Sequence, residues 1–235
     1  MKIIAPTEIE KVAWQGKLVS SQVTVTRGPS PSEEALVTLG EPVWWPAEQA
    51  MESQISKKWT PPADKRRYLL VRLACTLHPP AGSHTHYFDA TLSVKLSAMR
   101  GDPNVRADDL FPMRLAVDSK HNFSFKLTPG LKFAETLEAN LLEAGADIDY
   151  VKTFPVIQGF GLGESQPYWR FSKHAKYPLL GSQCVYAVVS APPNAAGIQF
   201  HFDLTATLET RFGPIRYGLP TDVQNSLQRK YSFSS

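Results

Sequence analysis

The chain has 235 residues, of which 43% are hydrophobic and 20% are charged, and its formal net charge is +3 at pH 7. This composition is ordinary for a globular protein and excludes a chain that is disordered throughout. The mild net charge argues against a protein devoted to nucleic-acid backbones, because such proteins usually carry a strongly basic face or arm.

The proline content bears on the fold class. The chain has 19 prolines and 14 glycines, and proline is excluded from helix interiors and from central strands. Many short elements joined by rigid turns are therefore expected, which favours an all-β fold. The length suits one large β-sandwich that buries its core without a metal or a disulfide.

A segment rich in tryptophan and proline, residues 41–64, is the least regular part of the first half. Tryptophan is mostly buried on average, so one interpretation is a packed cover over one end of a sandwich. The alternative is an exposed contact surface, because basic residues surround Trp59 as in sites for anionic partners, although such clusters are usually solvated surface. The predicted partner-binding residues are Trp44, Trp45, Trp59, Lys57, Lys58, Lys65, Arg66 and Arg67.

Two pairs of runs, one pair in each half, give the clearest structural signal. In the first half a continuous apolar run at residues 68–77 precedes an alternating run at 84–96. In the second half an apolar run at 184–191 precedes an alternating run at 198–212, and each apolar run is followed by a Pro-Pro pair. Alternation with a period of two predicts a strand with one buried and one solvated face. We predict two long β-hairpins of the same design, an internal hairpin repeat.

The alternating runs also predict which side chains form the core. Asp89 and Asp203 take matching places on the solvated faces, which is most simply explained by cross-strand pairing and supports an internal duplication. The predicted core-facing residues are Phe88, Ala90, Leu92, Val94 and Leu96 in the first run, and Ile198, Phe200, Phe202, Leu204, Ala206, Leu208 and Phe212 in the second.

Two histidines, His84 and His86, share one side of the first alternating run. They could bind a divalent metal if a carboxylate, or a third histidine such as His201, came from a neighbouring strand. Alternation places both on the apolar face before Phe88, however, which favours hydrogen-bonded structural histidines. A metal- or small-molecule-dependent enzyme with a site near His84 and His86 is therefore the alternative function.

Three glycines at alternate positions occur in residues 159–163. Phosphate-binding loops of similar composition need a helix directly after the loop, whereas Pro167 and aromatic residues follow here. We predict a bulged turn, in which glycine supplies a positive φ or lets another backbone segment come close. The best helix candidate is residues 131–146, with apolar side chains at three- and four-residue spacing and Gly145 at its end.

The location follows from what the sequence lacks. The apolar run after Met1 is shorter than a signal peptide needs, and no run approaches the length of a membrane span. We therefore expect a cytoplasmic protein in which Cys75 and Cys184, both inside predicted strands, are buried thiols rather than a disulfide or a reactive thiol.

These observations predict an all-β, antiparallel two-sheet sandwich, similar to a jelly roll, with one crossing helix. Residues 1–220 would form the domain and residues 221–235 a flexible or partner-pairing tail. No catalytic motif occurs, so no catalytic residue and no cofactor are predicted. The predicted function is a structural binding or assembly module that acts through protein–protein contacts as a homo-oligomer. A coat-like protein that contacts nucleic acid through residues 57–67 is the second alternative.

Overall fold

The computed structural model describes residues 2–3, 11–20, 35–52, 61–80, 84–115, 156–173, 179–210 and 213–233. Most of them lie in strands, and two short helices occur among them, α1 (Ala47–Ala50) and α2 (Thr221–Ser226). The strands are β1 (Lys2–Ile3), β2 (Val12–Lys17), β3 (Val19–Ser20), β4 (Leu36–Gly40), β5 (Val43–Pro46), β6 (Met51–Glu52), β7 (Arg67–Leu77), β8 (His86–Ala98), β9 (Arg106–Phe111), β10 (Arg114–Leu115), β11 (Val156–Phe160), β12 (Tyr168–Ser172), β13 (Gly181–Ala191), β14 (Gly197–Thr210), β15 (Gly213–Gly218) and β16 (Gln228–Ser232).

The strands of the described residues form two antiparallel sheets and a short β1–β6 pair. The larger sheet has the order β10-β11-β12-β8-β14-β15-β3, with β16 also paired to β14. The smaller sheet has the order β2-β4-β7-β13-β9, with β5 also paired to β7. The predicted all-β two-sheet sandwich is confirmed. The predicted crossing helix, residues 131–146, lies outside the described residues.

The two predicted β-hairpins are wrong. β7 belongs to the smaller sheet and β8 to the larger. In the second half, β13 belongs to the smaller sheet and β14 to the larger. Equivalent strands of the two halves pair with each other instead, β7 with β13 and β8 with β14. The physical reason is burial: β7 and β13 are mostly buried on both faces, whereas β8 and β14 alternate. Continuous apolar strands pair in a sheet that is covered on both faces, and alternating strands pair in a sheet with one solvated face.

The core between the sheets contains the inward-facing side chains of β8 and β14. Burial of these apolar side chains is the main favourable contribution to folding. Phe212 lies outside the described residues. The predicted core residues Ala90, Leu92, Val94, Leu96, Ile198, Phe200, Phe202, Leu204, Ala206 and Leu208 are all buried, as the alternation predicted.

Phe88 breaks the predicted pattern, because its side chain is 46% exposed while that of Tyr87 is fully buried. The register between β8 and β14 shifts at this point, where Asp89 pairs with Thr207 and Tyr87 with Leu208. A bulge inserts one extra residue into a strand and so reverses which of the following side chains face the core. The prediction that Phe88 faces the core is therefore wrong.

A second apolar cluster lies on the outer face of the smaller sheet. This cluster explains why the sequences of β7 and β13 are continuous apolar runs: both faces of these strands are covered by other side chains. Its buried members are Trp45 from β5, Ala47 and Ala50 from α1, Tyr68 and Leu70 from β7, and Tyr186 and Val188 from β13.

The two cysteines lie on opposite faces of the smaller sheet. Cys75 is buried in the core between the sheets, and Cys184 packs against the second cluster. Side chains on opposite faces of a sheet do not meet the geometry of a disulfide. Both residues are free thiols, but only Cys75 is buried and Cys184 is partly exposed, so the prediction of a buried thiol holds for Cys75 alone.

The C-terminal segment joins the sandwich. β16 pairs antiparallel with β14, with Gly197 opposite Ser232, and Tyr231 and Phe233 pack against the core between the sheets. The sequence predicted a frayed tail or one that pairs with a neighbouring molecule. Residues 228–232 pair instead with a strand of their own chain, and Tyr231 of β16 packs against the core. The domain boundary at residue 220 stays a prediction.

An ion pair connects β16 to the smaller sheet. Arg229 donates from Nε to Glu41 Oε2 at 2.6 Å and from Nη2 to Glu41 Oε1 at 2.7 Å. This is the bidentate geometry in which an arginine and a carboxylate bind most strongly. The hydrogen bonds from Arg229 lower the pKa of Glu41 below its ordinary value, against the opposing effect of desolvation.

We expect Glu41→Gln to lower the free energy of unfolding at neutral pH by about 1 kcal/mol, because the pair is only partly buried. A carboxyl group whose pKa is lowered by folding stabilises the protein above its unfolded pKa, and the contribution is lost as the pH falls through the folded pKa. The difference between wild type and variant should therefore shrink below the ordinary glutamate value of 4.5. Denaturant unfolding over this pH range measures it, with Glu48→Gln on the exposed side of α1 as the control. A difference that stays constant with pH would contradict the ionic origin.

Candidate protein-contact site

Three exposed apolar side chains lie together at the turn between β11 and β12. Phe160 is 37% exposed, Leu162 50% and Tyr168 37%. Phe160 and Tyr168 are directly opposite in the antiparallel pairing, and their rings stack with centroids 4.8 Å apart and planes inclined by 14°. These three residues are here called the aromatic hairpin.

The loop of the aromatic hairpin requires glycine. Gly161 has a φ of +81° and Gly163 a φ of +80°, a region that residues with a side chain rarely adopt. A Cβ atom on Gly161 would lie 2.8 Å from the carbonyl oxygen of Gln166. The predicted glycine turn is confirmed, and the element that follows the loop is the strand β12.

Backbone hydrogen bonds hold the loop against both sheets. Gly163 N donates to Ala107 O at 2.7 Å, and Ala107 N donates to Glu164 O at 2.9 Å, which ties the loop to β9 of the smaller sheet. Leu96 N donates to Ser165 O at 2.8 Å, which ties it to β8 of the larger sheet. The loop is therefore fixed at two sides, and a surface that is already ordered loses less conformational entropy when it binds.

The opposite face of the same two strands anchors the aromatic hairpin in the core. Trp169 and Phe171 of β12 and Ile157 of β11 are almost completely inaccessible to solvent. Because successive side chains of a strand point to opposite faces, burial of Trp169 forces Tyr168 outward. The sequence contains the aromatic residues and the glycines, but its patterns did not assign them to a site. The available signal was the presence of Phe160 and Leu162 in a glycine turn, where polar residues are usual.

Several outward-facing side chains of the larger sheet next to the aromatic hairpin are polar. Arg170 Nη2 donates to Asp89 Oδ2 at 2.8 Å, and the facing residues of β8 and β14 include Thr91 opposite Thr205 and Ser93 opposite Asp203. Asp89 and Asp203 each face a hydroxyl residue across the strand pair, as expected for matched cross-strand pairing. The aromatic hairpin is thus an apolar patch beside polar side chains of β8, β12 and β14.

His86 lies in a charged cluster at the other end of this face. Its Nε2 lies 2.7 Å from Glu209 Oε2 and 2.5 Å from Lys173 Nζ. The bulge at Phe88 turns His86 to the outer face, so the prediction that it lies on the apolar face is wrong. Hydrogen bonds with His86 and with Lys173 lower the pKa of Glu209 below its ordinary value, and the bond with His86 has the larger effect.

His201 is not brought together with His86, the predicted metal ligand on β8. His84 is exposed just before β8, and His201 lies opposite Lys95 while His86 lies opposite Glu209. His201 and Glu209 are therefore separated by roughly 26 Å of β14. In the part of the chain that the structure describes, no group of three or more His, Cys, Asp or Glu side chains is placed to hold a metal ion.

The two adjacent tryptophans of β5 point to opposite faces of the smaller sheet. Trp44 packs toward the core, with its ring centroid 5.4 Å from that of Phe200 and 5.6 Å from that of Tyr231. Trp45 is buried in the second cluster, where the guanidinium carbon of Arg72 lies 6.0 Å from its ring centroid. Of the two interpretations of this segment, a packed cover is the one that the structure shows for Trp44 and Trp45.

The described arginines of the predicted basic cluster make contacts within the chain. Arg66 donates from Nε to Ser190 Oγ at 2.9 Å and from Nη2 to Asn104 O at 2.6 Å. The guanidinium carbon of Arg67 lies 4.9 Å from the ring centroid of Phe233, within the range of a cation–π contact.

Partner binding by the basic cluster stays a prediction. Lys65 is exposed and has a φ of 58°. The other three predicted residues, Lys57, Lys58 and Trp59, lie outside the described residues.

No helix among the residues that the structure describes is long and apolar enough to cross a lipid bilayer.

Comparisons with known proteins find structural likeness only. No family model matches the sequence, and no curated protein matches it significantly. The chain is similar to the membrane-inserted form of the Clostridium perfringens NetB toxin, with 12% identity over 94% of this chain and 93% of that chain and a TM-score of 0.37. It is similar to a structure described as a pore forming protein, with 10% identity over 88% of this chain and 85% of that chain and a TM-score of 0.31. These values assign the chain to no family.

Proposed function

We propose that the chain is a non-catalytic binding or assembly module whose contact site is the aromatic hairpin. The observation that carries the proposal is the exposed, stacked pair of Phe160 and Tyr168, next to Leu162, on a loop that is hydrogen-bonded to both sheets. Aromatic side chains are enriched at the centres of protein interfaces, because they bury a large apolar area and lose little conformational entropy.

The arrangement differs from ordinary surface exposure. Single apolar side chains scattered over a surface are normal, whereas neighbouring exposed apolar side chains form a patch that favours association. The patch is small, so we expect a few central side chains to supply most of its binding free energy.

A cytoplasmic location stays a prediction. The two alternative functions, an enzyme with a site near His84 and His86 and a coat-like protein that binds nucleic acid through residues 57–67, also stay predictions, and no observation on the described residues favours either one.

The double substitution Phe160→Ser and Leu162→Ser tests the proposed function. We expect it to weaken self-association, or the capture of a partner protein, by about tenfold or more, because central apolar side chains dominate the binding free energy. Light scattering over a concentration series measures self-association, and affinity capture with quantitative mass spectrometry measures partner binding. Both replaced side chains are solvent-exposed, so folding should be preserved.

Val12→Ser is the matched control, because Val12 is an exposed apolar residue of β2 in the smaller sheet. It should leave both measurements unchanged. If the double variant and the control associate and capture partners to the same extent as wild type, the aromatic hairpin is not the contact site.

A further inference from the structure

Charged residues border the aromatic hairpin on two sides, and the basic one is Lys95. Hydrogen bonds from Val94 N to Pro167 O at 2.9 Å and from Leu96 N to Ser165 O at 2.8 Å flank Lys95 and place it beside the loop. Tyr168 is opposite Ser93, so Lys95 is its diagonal neighbour on the outer face, at a Cα distance of about 7–8 Å. The Lys95 side chain is exposed.

The acidic residue is Glu164. Its backbone N–H donates to Gly161 O at 3.1 Å and its carbonyl oxygen accepts from Ala107 N, which fixes it on the side of the loop that faces β9. Its side chain is exposed. The acidic and the basic residue therefore stand on different sides of the apolar patch, one toward the smaller sheet and one on the larger sheet.

Other charges near the patch are already paired within the chain. Arg170 binds Asp89 at 2.8 Å, and Arg106 binds Asp108 at 2.8 Å. Among the described residues, neither Lys95 nor Glu164 has such a partner. The patch thus presents an apolar centre, one basic group and one acidic group, and no described residue forms an ion pair with either of these two groups.

We propose that the partner at the aromatic hairpin is a second copy of this chain, docked about a twofold axis with Lys95 of each copy facing Glu164 of the other. The inference rests on the proposed function of the aromatic hairpin. A twofold interface brings the same patch of two copies together, so a patch with a base on one side and an acid on the other is complementary to itself. The axis would pass through the stacked aromatic residues, which become the desolvated centre with a charged rim.

Charge reversal distinguishes this arrangement from other partners. Lys95→Glu alone places two acidic groups opposite each other at both ends of the interface, and Glu164→Lys alone places two basic groups there. We expect each single variant to reduce self-association by about tenfold or more, since like charges across an interface repel. The double variant should restore association, and so should an equimolar mixture of the two single variants, because each contact in the mixed pair again joins an acid to a base.

Sedimentation or light scattering over a concentration series at low ionic strength measures these associations, because salt screens charges at the rim of an interface. Lys230→Glu is the control, an exposed reversal of the same sign on β16, and should associate like wild type. Association of the mixture but not of the separate single variants would establish the twofold contact.

The outcomes separate the two proposals. If the charge reversals have no effect while Phe160→Ser with Leu162→Ser abolishes self-association, the docking arrangement is wrong and the contact site stands. If wild type stays monomeric while the aromatic hairpin captures a different protein, the second copy is wrong and the contact site again stands. If the serine variant changes neither readout, the proposed function itself fails.

Discussion

Replacement of Phe200 by alanine is expected to lower the free energy of unfolding by about 3–5 kcal/mol, the range for removal of a fully buried phenylalanine side chain. Phe200 of β14 is completely buried. Its ring stacks on Trp44 of the smaller sheet with centroids 5.4 Å apart and lies 6.2 Å from the ring of Phe202. The substitution therefore removes a ring that joins the two sheets and leaves a cavity between them.

Denaturant unfolding of wild type and variant measures this loss. Phe88→Ala is the matched control, since it removes the same side chain from a residue that the β-bulge turns outward. We expect that variant to lose less than about 1 kcal/mol. Similar losses for the two variants would contradict both the stacking contact of Phe200 and the register shift at Phe88.

Replacement of Gly197 by alanine is the second substitution with a large expected effect, about 1–3 kcal/mol of destabilisation from overpacking. Gly197 lies where β14 meets β16. A Cβ atom there would overlap the carbonyl oxygen of Tyr231 and lie 2.7 Å from Met99 Sδ and 3.1 Å from Ser232 Cα. Backbone atoms cannot rotate away as a flexible side chain can, so β16 would have to separate from β14.

Hydrogen exchange of the β16 amides, followed together with denaturant unfolding, tests this result. We expect faster exchange in residues 228–232 of the variant. Gly218→Ala in β15 is the control, because the nearest atom to its added Cβ would be Thr205 Cγ2 at an ordinary 3.8 Å. Unchanged exchange in β16 after the Gly197 substitution would show that the strand is not held at this point.

The fold class could be predicted from the sequence because alternation is a local property. The buried side chains of β14 occupy every second position, so the period alone identified the strand and its core face. The pairing partners could not be predicted in this way. β7 and β8 are adjacent in the sequence, yet they belong to different sheets because β7 is buried on both faces and β8 on one. Their pairing partners lie about 100 residues or more away in the sequence.

For the candidate site, too, the local features could be predicted from the sequence and those that depend on strand pairing could not. The glycines of residues 159–163 predicted the turn, since whether a residue can adopt a positive φ depends on the type of that residue alone. Which aromatic residues face solvent depended on the register of β12 against β8, which sets Trp169 inside and Tyr168 outside. The adjacent tryptophans of β5 both pack within the fold, because a sheet that is covered on both faces packs side chains of either parity.

The pairing of equivalent strands has a kinetic consequence. Leu92 lies opposite Leu204, and Leu73 lies opposite Val185, so the central contacts of both sheets close very long loops. Loop closure loses chain entropy before those contacts form, and topologies dominated by distant pairings fold slowly. During that interval two long strands expose unsatisfied backbone groups, which are templates for aggregation with other unfolded molecules. The yield of refolding should therefore fall as the concentration of the chain rises.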